Sequence, residues 1–127
     1  MTDLELVLVL LVLFQIKHFV ADYPLQTPAM IRGKGILFNP QGILHSLHHS
    51  ALTLATLMIF SLVHPVAILL AVIIASAEFF IHYGIDYTKM QYGKRLTTSD
   101  PKFWWAIGFD QMLHHVTYLA FAWIVLS

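Results

Sequence analysis

Apolar residues fall along this chain in four long runs, at residues 4–22, 41–63, 66–87 and 101–126, separated by shorter mixed stretches. Each run reaches the roughly 20 residues that an α-helix needs to cross a bilayer. Proline punctuates them. Tyr23-Pro24 ends the first run, because proline disfavours helical geometry in the residue before it. His64-Pro65 separates the second run from the third by so short a connection that the two helices are antiparallel neighbours. Asp100-Pro101 starts the fourth, with Asp100 as N-cap and proline at the first helical position. The pattern predicts an all-α fold: one domain over residues 1–127, built as a four-helix transmembrane bundle.

Polar positions inside the runs are not scattered. Glu78, His82 and Asp86 recur at i, i+4 and i+8, which stacks them on one helix face. The same spacing pairs His18 with Asp22, His45 with His49, and Asp110 with His114. Ionisable groups on a membrane-length helix are costly unless they pair, bind a metal or line a polar cavity.

Composition sharpens the class. Hydrophobic residues make up 58% and charged residues 11%, against roughly 25% charged in a soluble domain. The mean hydropathy of +0.73 points to the membrane as well. Zero net charge gives no electrostatic case for nucleic acid. The absence of cysteine excludes disulfides and thiolate metal sites. The first run carries Asp3 and Glu5 at its head and is not followed by a small-residue cleavage site, so it reads as a retained span rather than a signal peptide.

All seven Lys and Arg residues fall towards one end: Lys17, Arg32, Lys34, Lys89, Lys94, Arg95 and Lys102. By the positive-inside rule, loops 23–40 and 88–100 are cytoplasmic and both termini lie outside. Loop 23–40 mixes cations, glycines and apolar residues, which suits a re-entrant or interfacial piece. Trp104 and Trp105 fit an interfacial aromatic belt. The four polar pairs then share the cytoplasmic end, within a slab roughly 10–15 Å thick at a rise of about 1.5 Å per residue.

Imidazole and carboxylate are the usual ligands of Zn²⁺, Fe²⁺ and Mn²⁺. His18, Asp22, His45, His49, His82, Asp86, Asp110 and His114 suffice for one or two divalent ions, zinc first among them. His48 replaces His49 if the register slips. His48 and His115 otherwise point about 100° away from their neighbours. Glu78, one turn deeper, orients a ligand, transfers protons or pairs with another group. Arg32, Lys34 and Lys89 are candidates for holding an anionic substrate group.

The stretches Lys17–Gln26, His45–His49, His82–Lys89 and Asp110–His114 resemble the small bacterial and phage membrane proteins grouped as domain of unknown function 3307. The resemblance implies a four-helix integral membrane protein of a bacterial inner membrane and brings no activity with it. His82 and Asp86 are more loosely similar to the His-x-x-x-Asp helix of membrane-bound metal-dependent hydrolases. The expectation is a metal-dependent hydrolase that takes an amphiphilic or anionic substrate from the cytoplasmic side, with Glu78, Asp22 or Asp110 moving protons. Membrane lipid is its surroundings, and a homo-oligomer is compatible with it. The competing readings are a transporter or channel subunit for a metal ion, proton or small solute, and a membrane interaction protein.

Overall fold

A computed structural model describes residues 1–127. Five α-helices follow in order: α1 (Asp3–Asp22), α2 (Pro28–Gly33), α3 (Pro40–Phe60), α4 (Ile68–Tyr92) and α5 (Pro101–Leu126), with a 3-10 turn at Gly93–Arg95. The four long helices are those anticipated from the apolar runs. They close a ring in which α1 packs on α3, α3 on α4, α4 on α5 and α5 on α1. The bundle therefore runs up-down-up-down, and the end of α1, the start of α3, the end of α4 and the start of α5 share one end.

Local chemistry sets the helix ends. Thr2 and Glu5 form a reciprocal capping box on α1. Asn39 caps α3 by accepting from the backbone of Gln41 and Gly42, with Pro40 behind it. Asp100 differs from expectation. It occupies the N-cap position of α5, but its carboxylate turns back to accept from the backbone N–H and hydroxyl of Thr97. Those donors hold the Asp100 carboxyl below its usual range.

α1, α3 and α4 are long and apolar enough to cross a membrane. α5 is as long, but Asp110, Gln111, His114 and His115 dilute its hydropathy. α4 also continues past residue 87. Its last turn is held by loop 23–40: Gln91 Nε2 donates to the Gly35 carbonyl at 2.7 Å, and Met90 lies against Gly35. Tyr83 accepts at its hydroxyl from the Phe38 backbone at 2.9 Å.

The bundle interior has two zones. Towards the termini, Leu10, Phe14, Leu57, Phe60, Ala71 and Phe121 belong to a packed apolar core. Towards the loops, the buried residues are polar: Lys17, His18, Lys34, His45, His49, Glu78, His82, Asp86, Asp110 and His114. The outside is the reverse, with Leu8, Val12, Ile16, Leu69 and Val116 exposed. A polar interior under an apolar exterior is what lipid selects.

Loop 23–40 is pinned by a close crossing of α2 over α3. A Cβ on Gly33 would lie 2.8 Å from the Gly42 nitrogen, and one on Gly42 would lie 2.8 Å from the Gly33 carbonyl oxygen. Gly42→Ala should therefore lift α2 and lower stability by about 1–3 kcal/mol, the usual cost of overpacking. Gly93→Ala, where nothing lies within 4 Å, should be close to neutral. Thermal unfolding of both variants in detergent checks this contrast.

Candidate metal centre

Each long helix delivers its pair through the stripe it buries. On α3 that stripe is Gly42, His45, Ser46, His49, Thr53, Thr56, Leu57 and Phe60. His49 is on it and fully buried, whereas His48 is only half-buried. The choice between the adjacent histidines thus falls to His49. On α4 the stripe runs Ala71, Ile74, Ala75, Glu78, His82, Asp86, and on α5 it runs Asp110, His114, Tyr118.

Two groups of ligand-type atoms converge. Atoms of Asp22, His45, His49 and His82 all lie within 4.8 Å of one another, as do those of His82, Asp86 and His114. In the first group, Asp22 Oδ1 is 2.9 Å from His49 Nε2 and 3.3 Å from His45 Nε2. His45 Nε2 is in turn 3.3 Å from His82 Nε2. A tetrahedral zinc with ligands at about 2.0–2.1 Å has ligand–ligand edges of about 3.3 Å. Three imidazole nitrogens and one carboxylate oxygen within 4.8 Å of one another, three of their separations at 2.9–3.3 Å, are a donor set that suits a single divalent transition ion. The rings of His49, His82 and His114 form one stack, with centroids 3.6 Å and 4.2 Å apart.

The second group is more committed elsewhere. Asp86 Oδ2 lies 2.9 Å from Lys34 Nζ, and Asp86 Oδ1 lies 3.6 Å from Lys89 Nζ. Asp110 Oδ2 accepts from Lys89 at 3.0 Å and from Gln111 at 3.1 Å. His114 Nε2 sits between the two aspartates, 3.5 Å from Asp86 and 3.3 Å from Asp110. Lys34 therefore already neutralises Asp86, the one carboxylate of the second group, and Lys89 neutralises the adjacent Asp110.

The surrounding groups hold the first set in place. His18 Nε2 is 3.0 Å from Asp22 Oδ2, the oxygen not turned towards His45 and His49. His18 Nδ1 is 2.8 Å from the Tyr118 hydroxyl. Tyr118 has a single O–H, which lies between His18 Nδ1 and Glu78 Oε1, the latter at 3.3 Å. Glu78 Oε1 lies 3.7 Å from Nδ1 of both His49 and His82, behind the nitrogens that face Asp22. At that distance it is not hydrogen-bonded to either ring and faces them as a negative charge. Glu78 is itself gripped by Lys17 Nζ at 2.7 Å, with both side chains buried.

Lys17 is the functional residue that sequence reasoning read only as an orientation signal. Its position was legible: Leu10, Phe14, Lys17 and Ala21 recur at the spacing of a buried stripe. Tyr118 was legible too, as the next i+4 step after Asp110 and His114. Of the three cations expected to hold substrate, Lys34 and Lys89 stand inside the site on carboxylates, while Arg32 is exposed on α2 and makes no ion pair. His115 is half-buried, its ring 5.5 Å from that of His18. His64 is half-buried, with its ring against Phe60.

A family model described as "Protein of unknown function (DUF3307)" matches residues 10–127. No curated protein and no solved structure matches the chain.

Proposed function

The chain belongs to the DUF3307 family, and we propose that it is a membrane-embedded, metal-dependent hydrolase acting on an amphiphilic substrate from the cytoplasmic leaflet of a bacterial inner membrane. The observation that carries this reading is the convergence of Asp22 Oδ1 with Nε2 of His45, His49 and His82.

Charge counting favours one ion. Asp22, Glu78, Asp86 and Asp110 bring four carboxylates to the site, and Lys17, Lys34 and Lys89 bring three ammonium groups. With neutral histidines, the site carries one net negative charge, so one divalent cation together with a hydroxide or substrate anion brings it to balance. Two divalent ions would leave several uncompensated positive charges in a low-dielectric interior.

A divalent ion held there would polarise the scissile group and lower the pKa of a coordinated water. Asp22, with its other oxygen held by His18, serves as a ligand. Asp86 Oδ2 lies 3.3 Å from His82 Nε2, 3.5 Å from His45 Nε2 and 2.9 Å from Lys34 Nζ. That oxygen is placed to take a proton from the attacking water. The water oxygen bonds to the carbonyl or phosphoryl centre, the bond to the leaving oxygen breaks, and the leaving oxygen takes up the proton. Lys34 positions Asp86, and Glu78 acts through His49 and His82 rather than on the substrate. Loops 23–40 and 88–100 meet at this end of the bundle through Gln91 and Gly35, which supports a shared cytoplasmic face under the positive-inside rule.

Transport through a single chain fits less well, because the packed apolar core fills the other half of the bundle. The test is turnover of fluorogenic amphiphilic esters and phosphodiesters by metal-loaded protein in nanodiscs. Asp86→Asn should keep the metal and lower kcat by about 10²–10⁴-fold, the usual contribution of a positioned acid–base group. Metal-loaded protein that hydrolyses none of these probes would overturn the hydrolase reading.

A further inference from the structure

A groove of about 750 Å³ runs along the outside of the bundle between α4 and α5. Small-molecule sites typically span about 300–1,000 Å³. Its walls are apolar, including Phe80, Ile81, Ile85, Trp105 and Phe109, and Lys89 and Asp110 also line it. Phe80, Trp105 and Phe109 are largely exposed, so the mouth opens sideways where lipid would lie. The Lys89–Asp110 pair is the outer edge of the polar site: Lys89 Nζ is 3.6 Å from Asp86 Oδ1, and Asp86 Oδ2 is 3.3 Å from His82 Nε2.

We infer that this groove holds one hydrocarbon chain of a membrane amphiphile, with the chain's polar linkage set against Lys89 and the metal centre beyond it. The inference rests on the proposed hydrolase reading and names its substrate class and route of entry: a lipid taken laterally from the bilayer. Lys89 carries three N–H donors. Two face Asp110 and Asp86, and the third is left for an ester or phosphate oxygen at the head of the chain.

Gly84 supports an occupied groove. It lines the groove in the middle of α4, and a Cβ there would meet nothing within 4 Å. Glycine inside a helix costs about 0.5–1 kcal/mol relative to alanine. Close packing of a neighbouring helix usually explains such a residue, and here no neighbour approaches. What its missing side chain leaves free is the groove.

The test is photo-crosslinking of the full chain in phosphatidylcholine nanodiscs doped with a phosphatidylcholine carrying a diazirine in its acyl chain. Adducts on Ile81, Ile85 and Phe109 should exceed those on Ile16 and Phe19 of α1 roughly tenfold, the population ratio that about 1.4 kcal/mol of preference gives. Gly84→Trp should erase the excess, while Gly84→Ala should retain it. Uniform labelling of both faces, or an excess that survives Gly84→Trp, overturns the inference. Metal content measured on the same samples keeps the two readings apart. Normal metal with uniform labelling removes the groove proposal alone, whereas missing metal with groove-selective labelling removes the metal centre and leaves the groove.

Discussion

Purified in detergent without chelator, the wild-type chain will carry about one equivalent of a divalent transition ion, as a set of three imidazoles and one carboxylate holds one. Asp22→Ala, His45→Ala and His49→Ala will each come off the column nearly metal-free. Each substitution removes one of the four convergent atoms, and the neighbouring carboxylate oxygen, Asp86 Oδ2, is held by Lys34 at 2.9 Å. Loss of a supporting group around a metal typically costs about 10–100-fold in affinity, and loss of a ligand itself should cost more. His18→Ala belongs to the milder class, because His18 touches Asp22 Oδ2 and not the convergent oxygen. Asp86→Asn and Asp110→Asn discriminate between one ion and two. If the second group also holds an ion, wild type will carry about two equivalents and these variants about one. If Lys34 and Lys89 already neutralise those carboxylates, as the 2.9 Å and 3.0 Å contacts indicate, stoichiometry will not change. Elemental analysis of the series settles the count. Wild type carrying no transition metal, even after exposure to zinc, would leave only a hydrogen-bonded polar network.

Much of this centre was legible from spacing alone, because an i, i+4 pair on a helix can only face one way. Four such pairs at one end of four antiparallel helices had to meet once the bundle closed. The register of α3 was also legible in hindsight. His49 lies on the small-residue stripe through Gly42, Ser46, Thr53 and Thr56 along which α3 is buried, and His48 does not. What spacing could not give was partners drawn from other elements. Lys34 reaches Asp86 only because α2 folds loop 23–40 back over α3, a crossing that depends on Gly33 and Gly42 being bare. The end of α4 was placed early for a related reason. Hydropathy falls after Tyr87, yet Lys89, Met90 and Gln91 continue the helix because Asp110, Gly35 and the loop backbone give them something to hold.

The pairing of Lys17 with Glu78 crosses the bundle diagonally, from α1 to α4, and is the deepest ion pair in the chain's polar zone. Lys17 Nζ also lies 3.4 Å from His49 Nδ1 and 4.4 Å from the centre of the Tyr118 ring. Removing one partner of a buried pair strands the other charge and typically costs about 3–5 kcal/mol. Lys17→Met should therefore destabilise the bundle by that amount, because Glu78 loses its ammonium partner and keeps the Tyr118 hydroxyl at 3.3 Å and the His49 and His82 rings at 3.7 Å. Glu78→Leu should cost as much by stranding Lys17. The double variant Lys17→Met/Glu78→Leu should recover most of the loss, since apolar replacements of a buried pair are often neutral or better. Reversible unfolding in micelles reads this cycle, and a coupling below about 0.5 kcal/mol would mean that the two residues act independently. Stability and metal binding should then part company. The double variant regains its fold but has no carboxylate behind His49 and His82, so its metal affinity should still fall by about 10–100-fold. Recovery of both properties together would reduce Glu78 to a structural counter-ion. Recovery of stability alone assigns it to the orientation of the two histidines.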